Sequence, residues 1–354
     1  MSSRIRRVLA LAVALAVGLT LAACGSKADD ASDRTGGGGA AGAFPVTVDH
    51  VFGSTTIPSK PRRVVTIGWI THDIVAALGV VPVGVPKTWG GDDEGFTPWF
   101  RTQVEDVLDA DLPQILTEGE EPDFEQILGL QPDLILAPHS GITENQYKRL
   151  SEIAPTVAYA ERPWVSGSWR DLTQVVATAL GEQDRATELI AQTQTAIDTA
   201  SAAHPALAGT SFLYGVSLSD GATELGVYVA ADPRVAFLRE FGLVDSPSLG
   251  KALGTIGKED FYGAASLEVL DTIETDLFVG WSASADETRL TLEHPSFSRW
   301  APIADGHYYV LQDDTMAMAT NGPNLLSIPW AIDEGFVDDL AKAVDGGAVV
   351  RATP

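Results

Sequence analysis

The sequence predicts an α/β protein made of two similar lobes that a long helix joins. Short apolar runs alternate with amphipathic helical segments along most of the 354 residues, as in domains with a largely parallel sheet. One stretch of this pattern occurs twice, at residues 122–137 and 265–280. Between the two copies, residues 183–203 are rich in Ala, Thr and Gln and are expected to form one helix without an intervening strand.

The first residues have the composition of an export signal. Three arginines precede an apolar run at residues 8–19, which is too short to span a bilayer. The run ends at Leu21-Ala22-Ala23-Cys24, where small residues precede the only cysteine of the chain. This junction is typical of bacterial lipoproteins, so we expect a signal peptide at residues 1–23 and a lipid on Cys24.

The next segment, residues 24–43, is predicted to be a flexible tether because Gly, Ala, Ser and Asp dominate it. The net charge of the chain is −25, and removal of residues 1–23 would remove three basic residues and no acidic one. Such acidity argues against nucleic acid as a partner. It also suits a domain that must not adhere to an anionic membrane surface.

Residues 44–165 are predicted to form the N-terminal lobe. Thr71 or Asp73 is expected to cap a helix that continues to Leu78 and closes at Gly79. Alternating or apolar runs bounded by Gly and Pro indicate the strands. These strands are expected at residues 46–52, 64–68, 80–85, 134–137 and 156–159.

The connection between the lobes is predicted at residues 166–204 and the C-terminal lobe at residues 205–354. A helix beginning at Ser168 or Asp171 and ending at Leu180 should precede the long helix. A helix of 21 residues is about 30 Å long, enough to reach from one lobe to the other. In the C-terminal lobe, strands are predicted at residues 211–216, 225–229, 277–280 and 308–311, and a final helix at residues 332–344.

Each copy of the repeated stretch carries one glutamate at the same place. An apolar residue precedes it in both copies, and an Asp-Leu pair that opens the next strand follows eight positions later. The two glutamates are Glu125 and Glu268. Their matching positions indicate two lobes built alike. By themselves they are better explained as ordinary solvated helix charges, since most surface charges have no specific role.

With these residues, the chain resembles the substrate-binding proteins of bacterial ABC importers for iron–siderophores, haem and cobalamin. The resemblance covers about residues 46–345 and is strongest at residues 57–65, 124–136, 150–155 and 267–280. It implies two Rossmann-like lobes joined by a rigid helix, with a shallow ligand cleft between lobes that move little. It also implies that Glu125 and Glu268 form salt bridges with arginines of the membrane permease. The expected protein is a lipid-anchored monomer outside the cytoplasm.

A ferric siderophore is the ligand that the sequence favours, bound without a catalytic residue, cofactor or protein-bound metal. Such a ligand is large and rich in oxygen, so its site needs aromatic walls and a few basic groups. In open α/β sheets the cleft lies beyond the carboxyl ends of the strands. The predicted ligand contacts are Trp69, Trp89, Arg170, Tyr214, Arg234 and Trp281, with His72, Lys87 and His139 at further strand ends.

Two other tryptophans have different predicted roles. Trp99 lies in a loop flanked by proline and is expected to be a mobile rim residue. Trp300 is expected to pack a helix on the sheet.

Alternative ligands and functions stay open on the sequence. His72, His139 and a carboxylate could bind a bare cation, a His or Tyr could ligate haem, or the cleft could hold cobalamin. A lipid-anchored enzyme is disfavoured because the sequence has no zinc-ligand spacing, nucleophile elbow or phosphate loop. A surface receptor that has lost transport is disfavoured by the presence of both predicted docking glutamates.

Overall fold

Two large β-sheets, one in each half of the chain, organise the computed structural model, and a two-stranded hairpin forms a third, small sheet. The structure describes residues 44–117, 119, 121–164, 167–253 and 261–352. The predicted signal peptide, the lipid site at Cys24 and the tether therefore lie outside the described residues. The described residues form one compact unit that contains both large sheets. The predicted α/β class is confirmed.

The N-terminal half begins with an antiparallel hairpin of β1 (Val46–His50) and β2 (Gly53–Ile57). Where β2 lies, the sequence predicted a turn at residues 53–54 and an extended segment only from Ile57 onward. A sheet of five parallel strands follows, in the order β5-β4-β3-β6-β7. Its strands are β3 (Val64–Thr66), β4 (Gly84–Pro86), β5 (Gln114–Leu116), β6 (Leu134–Leu136) and β7 (Thr156–Val157).

Four α-helices accompany this sheet. The first ends as predicted, because Gly79 adopts a φ of 90°, which favours glycine. The second continues into a π-helical turn at Gln103–Val107. The helices are α1 (Thr71–Ala77), α2 (Pro98–Thr102), α3 (Phe124–Gly129) and α4 (Glu144–Ile153).

Two helices connect the halves, α5 (Trp169–Leu180) and α6 (Gln183–Ala203). Ser168 caps α5 through a reciprocal capping box with Asp171, and Gly181 ends it in the left-handed conformation. Both predicted helices are confirmed. No helix among the described residues is long and apolar enough to cross a membrane.

The C-terminal sheet has seven strands in the order β11-β9-β8-β12-β13-β14, and β10 also pairs with β8. Strands β9 and β11 are antiparallel to their neighbours, and the other pairs are parallel. The strands are β8 (Ser211–Val216), β9 (Glu224–Tyr228), β10 (Val244–Asp245), β11 (Tyr262–Ser266), β12 (Leu277–Trp281), β13 (Tyr308–Leu311) and β14 (Val349–Arg351).

The helices of this half surround the sheet. The predicted final helix at residues 332–344 is wrong at its start, because Gly335 adopts a φ of 84° and separates two helices. The helices are α7 (Pro233–Arg239), α8 (Leu249–Ala252), α9 (Ala285–Glu293), α10 (Ala301–Ala304), α11 (Asp314–Asn321), α12 (Ser327–Asp333) and α13 (Phe336–Val344).

The sequence repeat corresponds to matching strand connections. Asp133 precedes β6 and donates its backbone N–H to the carbonyl of Arg63, at 2.9 Å. Asp276 precedes β12 and donates in the same way to Ser211, at 3.1 Å. Each aspartate carboxylate also accepts the backbone N–H of that same partner, at 2.8 and 2.9 Å. The two lobes are therefore built alike at these strand entries.

The two tryptophans that were given structural roles from the sequence, Trp99 and Trp300, both lie in the protein interior. Trp300 is 1% exposed and donates its indole N–H to the carbonyl of Ile273, at 2.9 Å, so its predicted packing role is confirmed. Trp99 is 4% exposed and donates to the carboxylate of Asp73, at 2.7 Å. The prediction that Trp99 is a mobile rim residue is wrong, because this buried hydrogen bond fixes it in the core.

Candidate ligand-binding cleft

A cavity of about 300 Å³ lies between the two lobes, and we call it the cleft. The carboxyl ends of the N-lobe strands β3, β6 and β7 lead to one wall, as expected for an open α/β sheet. The start of α7 and the end of α11 supply part of the other wall. The lining residues are Trp69, His139, Trp164, Pro233, Arg234, Phe261 and Asn321.

Trp69 is the centre of an aromatic cluster at the cleft. Its ring centroid lies 5.3 Å from that of Trp164 and 6.1 Å from that of Trp89. Gly68 makes this position possible, because it has a φ of 95° and a Cβ there would collide with the carbonyl of His139. Trp69 is 37% exposed, so part of its ring is available to a ligand.

The cluster continues across the two lobes. Trp89 follows β4 of the N-terminal lobe, and its ring centroid lies 6.3 Å from that of Trp281, at the end of β12. The buried indole N–H of Trp281 has no hydrogen-bond partner in the described residues. The structure therefore brings the three predicted tryptophans Trp69, Trp89 and Trp281 together, although only Trp69 lines the cleft itself.

Arg234 is the basic side chain among the residues that line the cleft. It is the second residue of α7, and its Nε donates to the N-cap carboxylate of Asp232 at 2.9 Å. Its guanidinium lies over the ring of Tyr228, 3.9 Å from the centroid. These two contacts fix the guanidinium, and within the described residues neither terminal nitrogen donates to a carboxylate. Both can therefore donate to ligand oxygens.

His139 is a neutral partner on the opposite wall. Burial, together with the positive charge of Arg234, lowers the pKa of His139 to about 4. Its ring is 6.5 Å from Trp69 and 5.8 Å from Trp164, measured between centroids. A neutral imidazole can donate one hydrogen bond and accept another. The cleft thus combines aromatic surface, one fixed cation and neutral polar groups.

Other predicted site residues lie behind or outside the cleft lining. Tyr214 is buried, and its hydroxyl donates to the side-chain oxygen of Asn321 at 2.7 Å. Arg170 forms an ion pair with Glu240 at 2.6 Å and also donates to Gln194. Tyr214 can therefore orient a lining residue, whereas the guanidinium of Arg170 is already paired.

His72 and Lys87 also lie outside the cleft lining. His72 is buried beside Thr88, and its burial lowers its pKa to about 3. Among the residues that the structure describes, no three His, Cys, Asp or Glu side chains form a group that could hold a metal ion. The combination of His72, His139 and a carboxylate for a bare cation is therefore not assembled.

Sequence reasoning missed three lining residues, Trp164, Phe261 and Asn321. Trp164 comes after β7, so the same rule about carboxyl ends could have found it. Phe261 immediately precedes β11, a strand that was not predicted, and Asn321 is the last residue of α11. No local sequence signal marks either of these two as a cleft residue.

The two predicted docking residues, Glu125 and Glu268, lie on the protein surface, outside the cleft lining. Glu125 lies in the first turn of α3, and Glu268 follows β11. Both are exposed, and neither forms a salt bridge with another described residue. Two large apolar side chains beside them, Leu128 and Val269, are also exposed, at 58% and 38%.

Comparison with known proteins shows the family. A family profile described as periplasmic binding protein matches residues 64–247. The chain therefore belongs to this family, as the resemblance predicted, and its members are substrate-binding proteins.

Individual relatives bind iron complexes, according to their names. The chain is 36% identical over 148 residues to the probable siderophore-binding lipoprotein YfiY of Bacillus subtilis, a match that covers 41% of each protein. It is 25% identical over 268 residues to the Fe(3+)-citrate-binding protein YfmC of the same organism, covering 74% of this chain and 77% of that one. The match with YfiY thus spans less than half of that protein.

Among solved structures, the fold is similar to PiaA of Streptococcus pneumoniae in complex with ferrichrome. The TM-score is 0.75 at 30% sequence identity, and the alignment covers 85% of this chain and 99% of PiaA. PiaA is described as the substrate-binding protein of an iron uptake ABC transporter. The two-lobed fold with a cleft is therefore that of a known class of importer proteins.

Proposed function

We propose that this chain is the substrate-binding protein of an ABC importer and that it captures a ferric siderophore. The observation that carries the proposal is the cleft, where Trp69 and Trp164 face the fixed guanidinium of Arg234. Membership of the periplasmic binding protein family and the similarity to PiaA with ferrichrome support it.

The chemistry of the cleft suits a ferric chelate. Such a complex exposes the oxygens that bind iron, next to flat or aliphatic ligand surface. The guanidinium of Arg234 can donate hydrogen bonds to those oxygens, because its orientation is already fixed by Asp232 and Tyr228. The tryptophan faces can pack against the remaining surface. Binding of this kind is non-covalent, and we expect one ligand per chain and no turnover.

Haem and cobalamin are the other ligands that the initial resemblance allowed. A haem would gain from an axial ligand, and His139 is the histidine that lines the cleft. A ferric siderophore needs no ligand from the protein to its iron, so it uses Arg234 and the tryptophans without demanding a metal bond.

The test is a titration of intrinsic tryptophan fluorescence. The purified protein is titrated with ferrichrome, ferric citrate, haem, cobalamin and ferric chloride, and each siderophore is also added without iron. We expect saturable 1:1 quenching by at least one ferric chelate, stronger than by its iron-free form. Trp99→Phe is the matched control and should retain this quenching, because Trp99 is buried away from the cleft lining.

Tighter binding of haem or cobalamin than of every ferric chelate would overturn the proposed ligand. Recovery of a chemically altered ligand after incubation would overturn a pure binding role.

We also propose that a lipid on Cys24 holds the protein at the outer face of the cytoplasmic membrane. The support is the Leu-Ala-Ala-Cys junction and the name of YfiY as a lipoprotein. The substitution Cys24→Ala should move the protein from the membrane fraction to the soluble extracytoplasmic fraction. Unchanged membrane association of this variant would contradict the lipid anchor.

A further inference from the structure

A second cavity, of about 450 Å³, adjoins the cleft inside the N-terminal lobe, and we call it the N-lobe compartment. Trp164 lines both cavities. The cleft alone, at about 300 Å³, is at the lower end of the usual range for ligand sites, roughly 300 to 1,000 Å³. The adjoining volume is larger than the cleft itself.

The N-lobe compartment lies where the strand order of its sheet reverses. From β3 the chain adds β4 and β5 on one side, and then β6 and β7 on the other. Thr66 ends β3, Ser140 follows β6, and both residues line the compartment. In open α/β sheets, ligands bind beyond the carboxyl ends of the strands at such a reversal.

Trp164 separates the two cavities. Its ring packs on Gly141, where an added Cβ would lie 2.7 Å from the indole nitrogen. Its backbone has a φ of 65°, and its N–H donates to the carbonyl of Ser140 at 3.2 Å. A positive φ is unfavourable for a bulky residue, and such backbone strain is concentrated at functional sites.

The charge of the N-lobe compartment is opposite to that of the cleft. Glu121 and Asp123 line it, and no lysine or arginine is among its described lining residues. Asp123 caps α3 by accepting from the backbone of Gln126 at 3.0 Å, and Glu121 pairs with Arg149 at 2.9 Å. Because Arg149 compensates Glu121, the negative charge at the compartment is that of Asp123, which forms no ion pair with another described residue and disfavours an anionic group over a neutral or cationic one.

A buried polar atom beside the compartment also indicates that a ligand binds there. Thr66 is fully buried, and its hydroxyl has no hydrogen-bond partner in the described part of the chain. A buried hydroxyl without a partner is unfavourable. A polar group in the compartment, from a ligand or a water molecule, would relieve that cost.

We propose that the N-lobe compartment receives an uncharged or cationic arm of the ligand, while the iron-bearing core lies in the cleft against Arg234. This inference rests on the proposed function, since it assigns a specificity site to the same ligand. The core then lies against the positive charge of Arg234 on one side of Trp164, and the arm lies against the acidic compartment on the other.

The experiment uses one iron core with three different arms. Ferrioxamine B carries a terminal ammonium group, its N-acetyl derivative is neutral there, and its N-succinyl derivative is anionic. Dissociation constants are measured by calorimetry. We expect the wild type to bind the cationic and neutral forms more tightly than the anionic form, by roughly fivefold or more.

The substitution Thr117→Trp is designed to fill the compartment from its exposed edge. It should remove the discrimination between the three arms and weaken the cationic and neutral forms most. Thr187→Trp on α6 is the matched control, because Thr187 is exposed and lines neither cavity. It should behave like the wild type.

Equal affinity for the three forms in the wild type would overturn the inference and leave the proposed function intact. The same holds if Thr117→Trp keeps the wild-type discrimination. If none of the three forms of ferrioxamine B binds while another ferric chelate does, the inference that the compartment receives the arm of such a hydroxamate chelate is overturned. If no ferric chelate binds at all, the proposed function fails together with the inference.

Discussion

Arg170 donates a hydrogen bond to each carboxylate oxygen of Glu240, at 2.6 and 2.7 Å. Arg170 lies in the first turn of α5, and Glu240 directly follows α7. The second residue of α7 is Arg234, the cation of the cleft. The ion pair therefore ties the helix that presents this cation to the connection between the lobes. We expect Arg170 to influence the ligand through α7.

The expected result is a similar loss of affinity for ferrichrome in Arg170→Ala and Glu240→Ala, roughly twofold to tenfold each. The double variant should bind no worse than either single variant, because the two side chains form one unit. Calorimetric titration of the four proteins gives this double-mutant cycle. A large loss in Arg170→Ala alone, with Glu240→Ala unchanged, would instead indicate the direct ligand contact that the sequence predicted.

Asp73 should make the stability of the protein dependent on pH. Its carboxylate is fully buried and accepts hydrogen bonds from Trp99 at 2.7 Å and from the side chain of Asn324 at 2.8 Å. Burial raises its pKa to about 7, although the two hydrogen bonds act in the opposite direction. Between about pH 4 and pH 7, Asp73 thus carries a proton in the folded state that it has lost in the unfolded state.

This stabilising contribution of Asp73 is complete below pH 4 and is lost as the pH rises through 7. Asp73→Asn removes the titrating group but retains an oxygen as acceptor. Its free energy of unfolding relative to wild type should therefore increase between pH 5 and pH 8, by about 3 kcal/mol. Urea denaturation at several pH values measures the difference.

His72 has the opposite pH dependence, because its pKa is lowered by burial and its contribution is lost as the pH falls below about 6.5. It is present in both proteins, so we expect its effect to cancel largely in the comparison. Asp220→Asn is the control, because it makes the same substitution at an exposed aspartate. A pH-independent difference for Asp73→Asn would show that this carboxyl does not titrate in that window.

Glu125 and Glu268 are expected to act in transport and not in ligand binding. Both are exposed and lie outside the cleft lining. Glu125→Ala, Glu268→Ala and the double variant should retain wild-type affinity and stability, since exposed charges contribute little to either. Siderophore uptake should decrease in each single variant and further in the double, because the glutamate of each lobe can accept a bidentate pair of hydrogen bonds from a permease arginine.

The matched control is Glu152→Ala, at an exposed glutamate of α4 in the N-terminal lobe. It should leave both affinity and uptake unchanged. Normal uptake by the double variant would show that Glu125 and Glu268 are ordinary solvated surface charges without a docking role.

Sequence patterns within a few residues, such as helix caps, predicted the helix and strand boundaries that depend on neighbouring residues. The capping box of Ser168 and the left-handed Gly181 delimit α5, and the predicted bounds of α6 agree with the structure. The repeat of Asp133 and Asp276 correctly indicated matching strand entries. Trp69 and Trp89 follow strands of the N-terminal sheet and Trp281 ends a strand of the C-terminal sheet, so the rule that ligands bind beyond the carboxyl ends of strands pointed to all three.

The contacts that the sequence did not reveal involve partners that lie far away along the chain. Trp99 appears as an exposed loop residue until Asp73, 26 positions earlier, accepts its indole N–H. Arg170 appears as a free cation, and its partner Glu240 lies 70 positions later. Strands β11 and β14 are edge strands and were missed, β11 because its residues Gly, Ala and Ser are weak strand formers and β14 because it is only three residues long.

The most direct test of the account compares two arginines at opposite ends of α7. Arg234 faces the cleft, whereas Arg239 pairs with Asp245 at 2.8 Å and does not line it. Calorimetric titration should use the ferric chelate that gives the strongest quenching of the wild-type protein. The account predicts that Arg234→Ala binds it roughly tenfold or more weakly, about 1–3 kcal/mol, and that Arg239→Ala binds within twofold of wild type. Equal affinities of the two variants would contradict the assignment of Arg234 and the cleft as the site that holds the ligand.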